Sequence, residues 1–181
     1  MVIIVPIAFS ETAVDKVDFF LEQWAREMPD LDVGPMGVIG RLNRCSALMH
    51  RRLDATFEKF GLSTWEFDVL ASLRRSGAPY QLAPTALFSQ LMVTSGTMTH
   101  RLQKLEAAGW VKRMPNPDDA RSMLVQLSPS GLELVERALL AHVENEKNIM
   151  APLEADAAAS LDTQLRRLLA MLEPESVKPA P

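Results

Sequence analysis

The chain has 181 residues, 48% of them hydrophobic, and a net charge of −4; that is enough apolar content to bury the core of one domain or of one plus an appendage, and too much for a disordered tail. A single cysteine, Cys45, excludes an internal disulfide framework and paired-cysteine zinc spacings, and fits a reducing, cytoplasmic location. No run approaches the ~20 apolar residues of a membrane helix, and the acidic balance does not advertise nucleic-acid binding, so any such surface must be local.

Residues 1–11 read as an N-terminal extension: the first nine are apolar but include Pro6 and lack a basic lead-in or a small-residue cleavage site, so no signal peptide is expected. Over residues 12–27, Val14, Val17, Leu21 and Trp24 fall on one stripe and predict a first helix ended by Pro29. Ile39, Leu42, Met49, Leu53, Phe57 and Phe60 recur as in a long amphipathic helix, with Arg41, Arg44, Arg51 and Arg52 interleaved and Gly61 as its stop. Cys45 lies within it and reads as a buried packing residue. Ser63 or Thr64 caps a helix to Arg75 that carries Phe67, Val69, Leu70 and Leu73. Residues 82–90 form a short helical segment with Pro84 in its first turn, and residues 92–94 connect it to the next helix.

That next helix, capped by Thr94 or Ser95 and stopped by Gly109, turns Met98, Leu102 and Leu105 inward. Its other faces offer Ser95, Thr97, Thr99, His100, Arg101 and Lys104, side chains that can reach bases or phosphates. Strand-like runs at 110–113 and 123–127, separated by a tip of turn residues, predict a β-hairpin. Ser128 opens a helix to about Met150 with Leu132, Val135, Leu139 and Val143 in phase; a last helix carries Leu161, Leu165, Leu168, Leu169 and Leu172, and residues 174–181 form a flexible tail.

Helix, turn, second helix and wing make a surface that fits a duplex, the second helix entering the major groove. Over residues 94–127, Arg101, Lys104, Lys112, Arg113 and Arg121 stand against Glu106, Asp118 and Asp119, a net of +2 that opposes the global charge. Asp119 and Arg121 stand two apart, so the carboxylate can orient the guanidinium for a narrow minor groove, or form no more than a surface ion pair. No nucleophile with a base, phosphate loop or converging carboxylates marks an enzyme, and no cofactor is expected. His50, His100 and His142 lack the spacing of a metal site.

The stretches TSGTMTHRLQKLEAAGWVKR and NPDDARSMLVQLSPSGLEL resemble the recognition helix and wing of the MarR family of bacterial regulators. The resemblance implies a mainly α protein with a small β-hairpin wing: N-terminal helices at 12–62 comprising an extra helix and a dimerisation helix, a winged helix-turn-helix at 63–127, and C-terminal dimerisation helices at 128–173. It further implies a homodimer that binds double-stranded DNA and represses transcription. QWAREMPDLD, WEFDVLASLRRSGAPYQLAPTAL and SGTMTHR are similar to the urate-responsive, PecS-like subgroup. For that subgroup Trp24, Asp68, Arg101 and Arg113 match the effector-binding places, and Asp68 pairs with Arg101 when the effector is absent. His100 stands where the subgroup has asparagine, which leaves operator preference and pH response open.

Each of these residues has a second reading. Trp24 on a stripe fits a core or interface aromatic; Asp68, between Phe67 and Val69, fits a partly buried structural pair; Arg101 and Arg113 fit phosphate contacts. A regulator answering a phenolic, lipophilic or redox signal, or a winged-helix module for protein contacts, is the alternative.

Overall fold

A computed structural model describes residues 14–91, 95–117 and 119–173, apart from the side chains of Ser95 and Ala120. The expected extension at 1–11, the connector at 92–94 with the Thr94 cap, and the tail at 174–181 lie outside the described residues. The chain divides into two compact units, residues 1–51 and 52–181.

The first unit holds α1 (Lys16–Glu27) and most of α2 (Gly34–Phe57). Expected from residue 12, α1 begins only at Lys16, because Asp15 takes the N-cap: its Oδ1 accepts from the N–H groups of Val17 at 2.6 Å and Asp18 at 3.0 Å. The Asp18 carboxylate accepts in turn from the N–H of Asp15, closing a capping box. Val14 therefore precedes the helix, and the buried stripe starts at Val17. Cys45 is exposed on α2, contrary to expectation; a helix of 24 residues has more faces than its own chain covers. A 3-10 turn, Glu58–Phe60, follows and ends at Gly61, whose φ of 69° suits a residue without a Cβ.

The second unit continues with α3 (Thr64–Arg75), β1 (Gln81–Leu82), α4 (Pro84–Gln90), α5 (Ser95–Ala107), β2 (Val111–Asn116), β3 (Asp119–Leu127), α6 (Pro129–Met150) and α7 (Ala155–Leu172). Glu66 reaches back to the backbone N–H of Ser63 at 2.8 Å and fixes the start of α3. The strands form an antiparallel sheet in the order β1-β3-β2, with Leu82 opposite Val125 and Val111 opposite Leu127. Leu82 is thus a strand residue and not the start of a helix; two residues carry no alternation from which a strand can be read. The hairpin tip is shorter than its turn-rich composition predicts, since the ladder runs on to Asn116 opposite Asp119. Pro115 is tolerated because β2 is an edge strand, and a bulge follows it.

Phe57, Phe67, Leu70, Leu73, Leu87, Met98, Leu102, Leu105, Val111, Val125 and Val135 build one core under α3, α5, α6 and the sheet. Phe57 and Phe67 stack at 4.2 Å, and Arg74 bonds Glu136 at 2.8 Å to tie α3 to α6. By contrast α7 has no buried residue, and Leu161, Leu165, Leu169 and Leu172 are exposed along it. No helix among the described residues is long and apolar enough to cross a membrane.

Candidate nucleic-acid interface

Burial of Met98, Leu102 and Leu105 fixes the rotation of α5 and leaves Thr97, Thr99, His100 and Lys104 exposed on its outer faces. Ser95 is the first residue of α5, and its side chain lies outside the described residues. Arg101 departs from the expected outward placing: it is half-buried, with its guanidinium carbon 5.2 Å from the centre of the Trp65 ring. Trp65 and Asp68 are three apart on α3 and share a face. Asp68 itself is exposed, not partly buried as its apolar neighbours imply, because Phe67 and Leu70 already define the inward stripe of α3.

In the wing, Arg121 is exposed on β3. Asp119 Oδ1 accepts from the backbone N–H of Arg121 at 3.0 Å, so the carboxylate orients the chain at that residue rather than clasping its guanidinium. Asn116 donates to Ser122 Oγ at 2.9 Å and Ser122 Oγ donates to the Asp119 carbonyl at 3.2 Å, tying the tip across the two strands. Arg113 on β2 is half-buried and stands 3.3 Å from Glu106 Oε2 on α5. Its Nε and Nη2 are buried without a hydrogen bond, an arrangement that favours an added acceptor.

Trp24 belongs to the first unit, where it is partly exposed on α1 and lines a shallow groove of about 410 Å³ with Phe20, Gln23, Arg26 and Glu27. Sequence reasoning missed Trp65 and Glu106 as partners of the two arginines. Both were visible as residues, but their pairings join separate elements and carry no spacing signal. A double-mutant cycle on Trp65→Leu and Arg101→Met, read by urea unfolding, is expected to give a coupling of about 0.5–1 kcal/mol. Additivity of the two losses would remove the cation–π contact.

Two short helices, a tight hairpin and flanking long helices define this as a winged helix-turn-helix protein. A model of the MarR family matches residues 62–123. The chain is 46% identical over 158 residues to the HTH-type transcriptional regulator PecS of Dickeya dadantii, covering 87% of this chain and 93% of that protein. It is 33% identical over 124 residues to the multiple antibiotic resistance protein MarR of Salmonella typhimurium, covering 66% and 81%. A cysteine-to-serine mutant of MarR from Escherichia coli, solved in complex with operator DNA, superposes with a TM-score of 0.64 at 26% identity, over 81% of this chain and 97% of that one. The chain belongs to the MarR family of transcriptional regulators.

Proposed function

We propose that the protein is a cytoplasmic homodimer that binds a pseudo-palindromic operator in double-stranded DNA, represses transcription, and is released by a small anionic ligand of the urate class. The observation that carries the DNA reading is the outward face of α5, where His100 and Lys104 stand exposed, together with the exposed Arg121 of the wing, in a chain that is acidic overall. The likeness to a relative solved with operator DNA supports it. Residues 63–127 act as the DNA-binding part; Ser95, Thr97, Thr99, His100, Arg101, Lys104, Arg113 and Arg121 contact DNA, and Asp119 stabilises the wing. Dimer formation through residues 12–62 and 128–173 is supported by the leucine stripe that α7 leaves uncovered and by the exposed Leu140 and Val143 of α6. Two-fold symmetry then places half-sites ~10 bp apart.

The effector reading rests on Arg113, whose buried Nε and Nη2 make no hydrogen bond among the described residues, Nε having only the ion pair with Glu106 at 3.3 Å. A planar anion would supply acceptors and would compete for Arg101 over Trp65, beside Asp68, while an indole such as Trp24 offers a stacking face. Drawing the two arginines toward an anion pulls on α5 and β2, which carry the DNA-facing side chains, and shifts the protein toward a form of lower operator affinity.

The test is a mobility-shift titration on DNA upstream of the protein's own gene, with and without urate and related purines. A shift is expected, weakening on the order of a thousandfold between about 50 and 200 mM salt, and reversing with the purine. A shift without reversal removes the urate-class effector; no shift at low salt removes DNA binding and favours the protein-contact module.

A further inference from the structure

We infer that Arg41 is the positioning residue for Trp24: its clip on Asp15 and Asp18, beside a seat made by Gly37 and Gly40, holds α1 on α2 and sets where the indole stands. The inference rests on the effector role proposed above for Trp24. Every residue involved lies in the first unit.

The two carboxylates are shared between two tasks. Asp15 Oδ1 caps the first turn of α1, and its Oδ2 accepts from Arg41 Nε at 2.8 Å. Asp18 Oδ2 accepts from the N–H of Asp15 at 3.0 Å, and its Oδ1 accepts from Arg41 Nη2. All four oxygens are occupied, so the capping box holds the carboxylates in the orientation that the planar guanidinium requires. The same two residues that start α1 therefore anchor it.

Beside the clip the helices approach closely because α2 lacks side chains there. A Cβ at Gly40 would stand 3.2 Å from Val17 Cγ1, and one at Gly37 would stand 3.1 Å from Leu21 Cδ1. Val17, Leu21 and Trp24 follow one another at helical spacing, so the stripe seated on the glycines continues into the indole. The seat is narrow, for Val17 is the only buried residue of α1. Apolar burial alone leaves the helix free to roll, and a two-pronged ionic contact at its first turn removes that freedom.

Asp15 has its pKa held below the ordinary 3.8, first by the backbone N–H of Asp18 and, against burial, by Arg41. A depressed carboxylate contributes above its ordinary pKa and stops doing so as the pH falls through the folded value. The Asp15 half of the clip is thus fully formed at neutral pH.

Arg41→Gln and Arg41→Lys in the full-length protein test the inference, using urate as the probe. Operator affinity without urate should not change. The urate concentration for half-release should rise about fivefold in Arg41→Gln and less in Arg41→Lys, which keeps one charged contact. Hydrogen exchange of the α1 amides should quicken in the same order. Unchanged half-release in Arg41→Gln overturns the inference, even if exchange quickens, because the clip would then serve the helix and not the indole. If neither urate nor a related purine releases the wild type, the effector reading itself fails and takes this role of Trp24 with it; the wild-type titration alone distinguishes that case.

Discussion

Arg121→Ala is expected to lower operator affinity about tenfold or more at physiological salt, with the dimer and the far-UV circular dichroism unchanged. The side chain is exposed at the wing, and the Asp119 carboxylate is engaged with its backbone N–H, so the guanidinium keeps its charge and freedom for a duplex. A minor groove narrowed by sequence concentrates negative potential and favours an inserted arginine. The salt dependence should also flatten, by about one ion released per lost phosphate contact. Equal affinities for wild type and variant at physiological salt would take Arg121 out of the interface. Asp119→Ala should show a smaller loss, since it frees the backbone at Arg121 without removing the charge.

Gly131→Ala should destabilise the protein by about 3 kcal/mol and lower its Tm by roughly 10 °C at fixed protein concentration. An added Cβ would stand 2.0 Å from the carbonyl oxygen of Trp110 and 2.9 Å from its carbon. That carbonyl cannot swing aside, because it already accepts from the N–H of Ser128 at 3.0 Å. Ser128 Oγ in turn donates to the carbonyl of Gly109 at 2.7 Å and accepts from the N–H of Gly131 at 2.9 Å. The end of α5, the start of the wing and the start of α6 thus meet at one junction, and the substitution forces them apart. Gly96→Ala is the control, since an added Cβ there meets nothing within 4 Å and alanine favours the helix. Differential scanning calorimetry of both variants decides it: a Gly131→Ala Tm within about 2 °C of wild type would mean that the junction relaxes at little cost.

The elements with strong periodicity were legible without coordinates. Met98, Leu102 and Leu105 repeat at helical spacing, and all three are buried on the inner face of α5; Ser63, Gly61 and Ser128 mark helix ends at which the chain does turn. Composition misled where context overrode it. Pro115 and Asn116 read as turn residues but lie on an edge strand, where a missing donor costs nothing, and Asp15 displaced Thr12 as the start of α1 because its carboxylate meets the first amides.

What the sequence determined by itself is the set of local choices: where the long helices run and stop, which stripe of α3 and of α5 turns inward, and that basic side chains gather on the second short helix and the hairpin although the chain is acidic. These depend on neighbours within a few residues, and spacing records them. Tertiary structure alone decided the long-range pairings: Arg101 over Trp65, Arg113 against Glu106, Arg41 across Asp15 and Asp18, and the Trp110 carbonyl pressed on Gly131. Each joins different elements, and whether two such side chains meet is settled by how helices and strands pack, a property of the whole core that no local pattern carries.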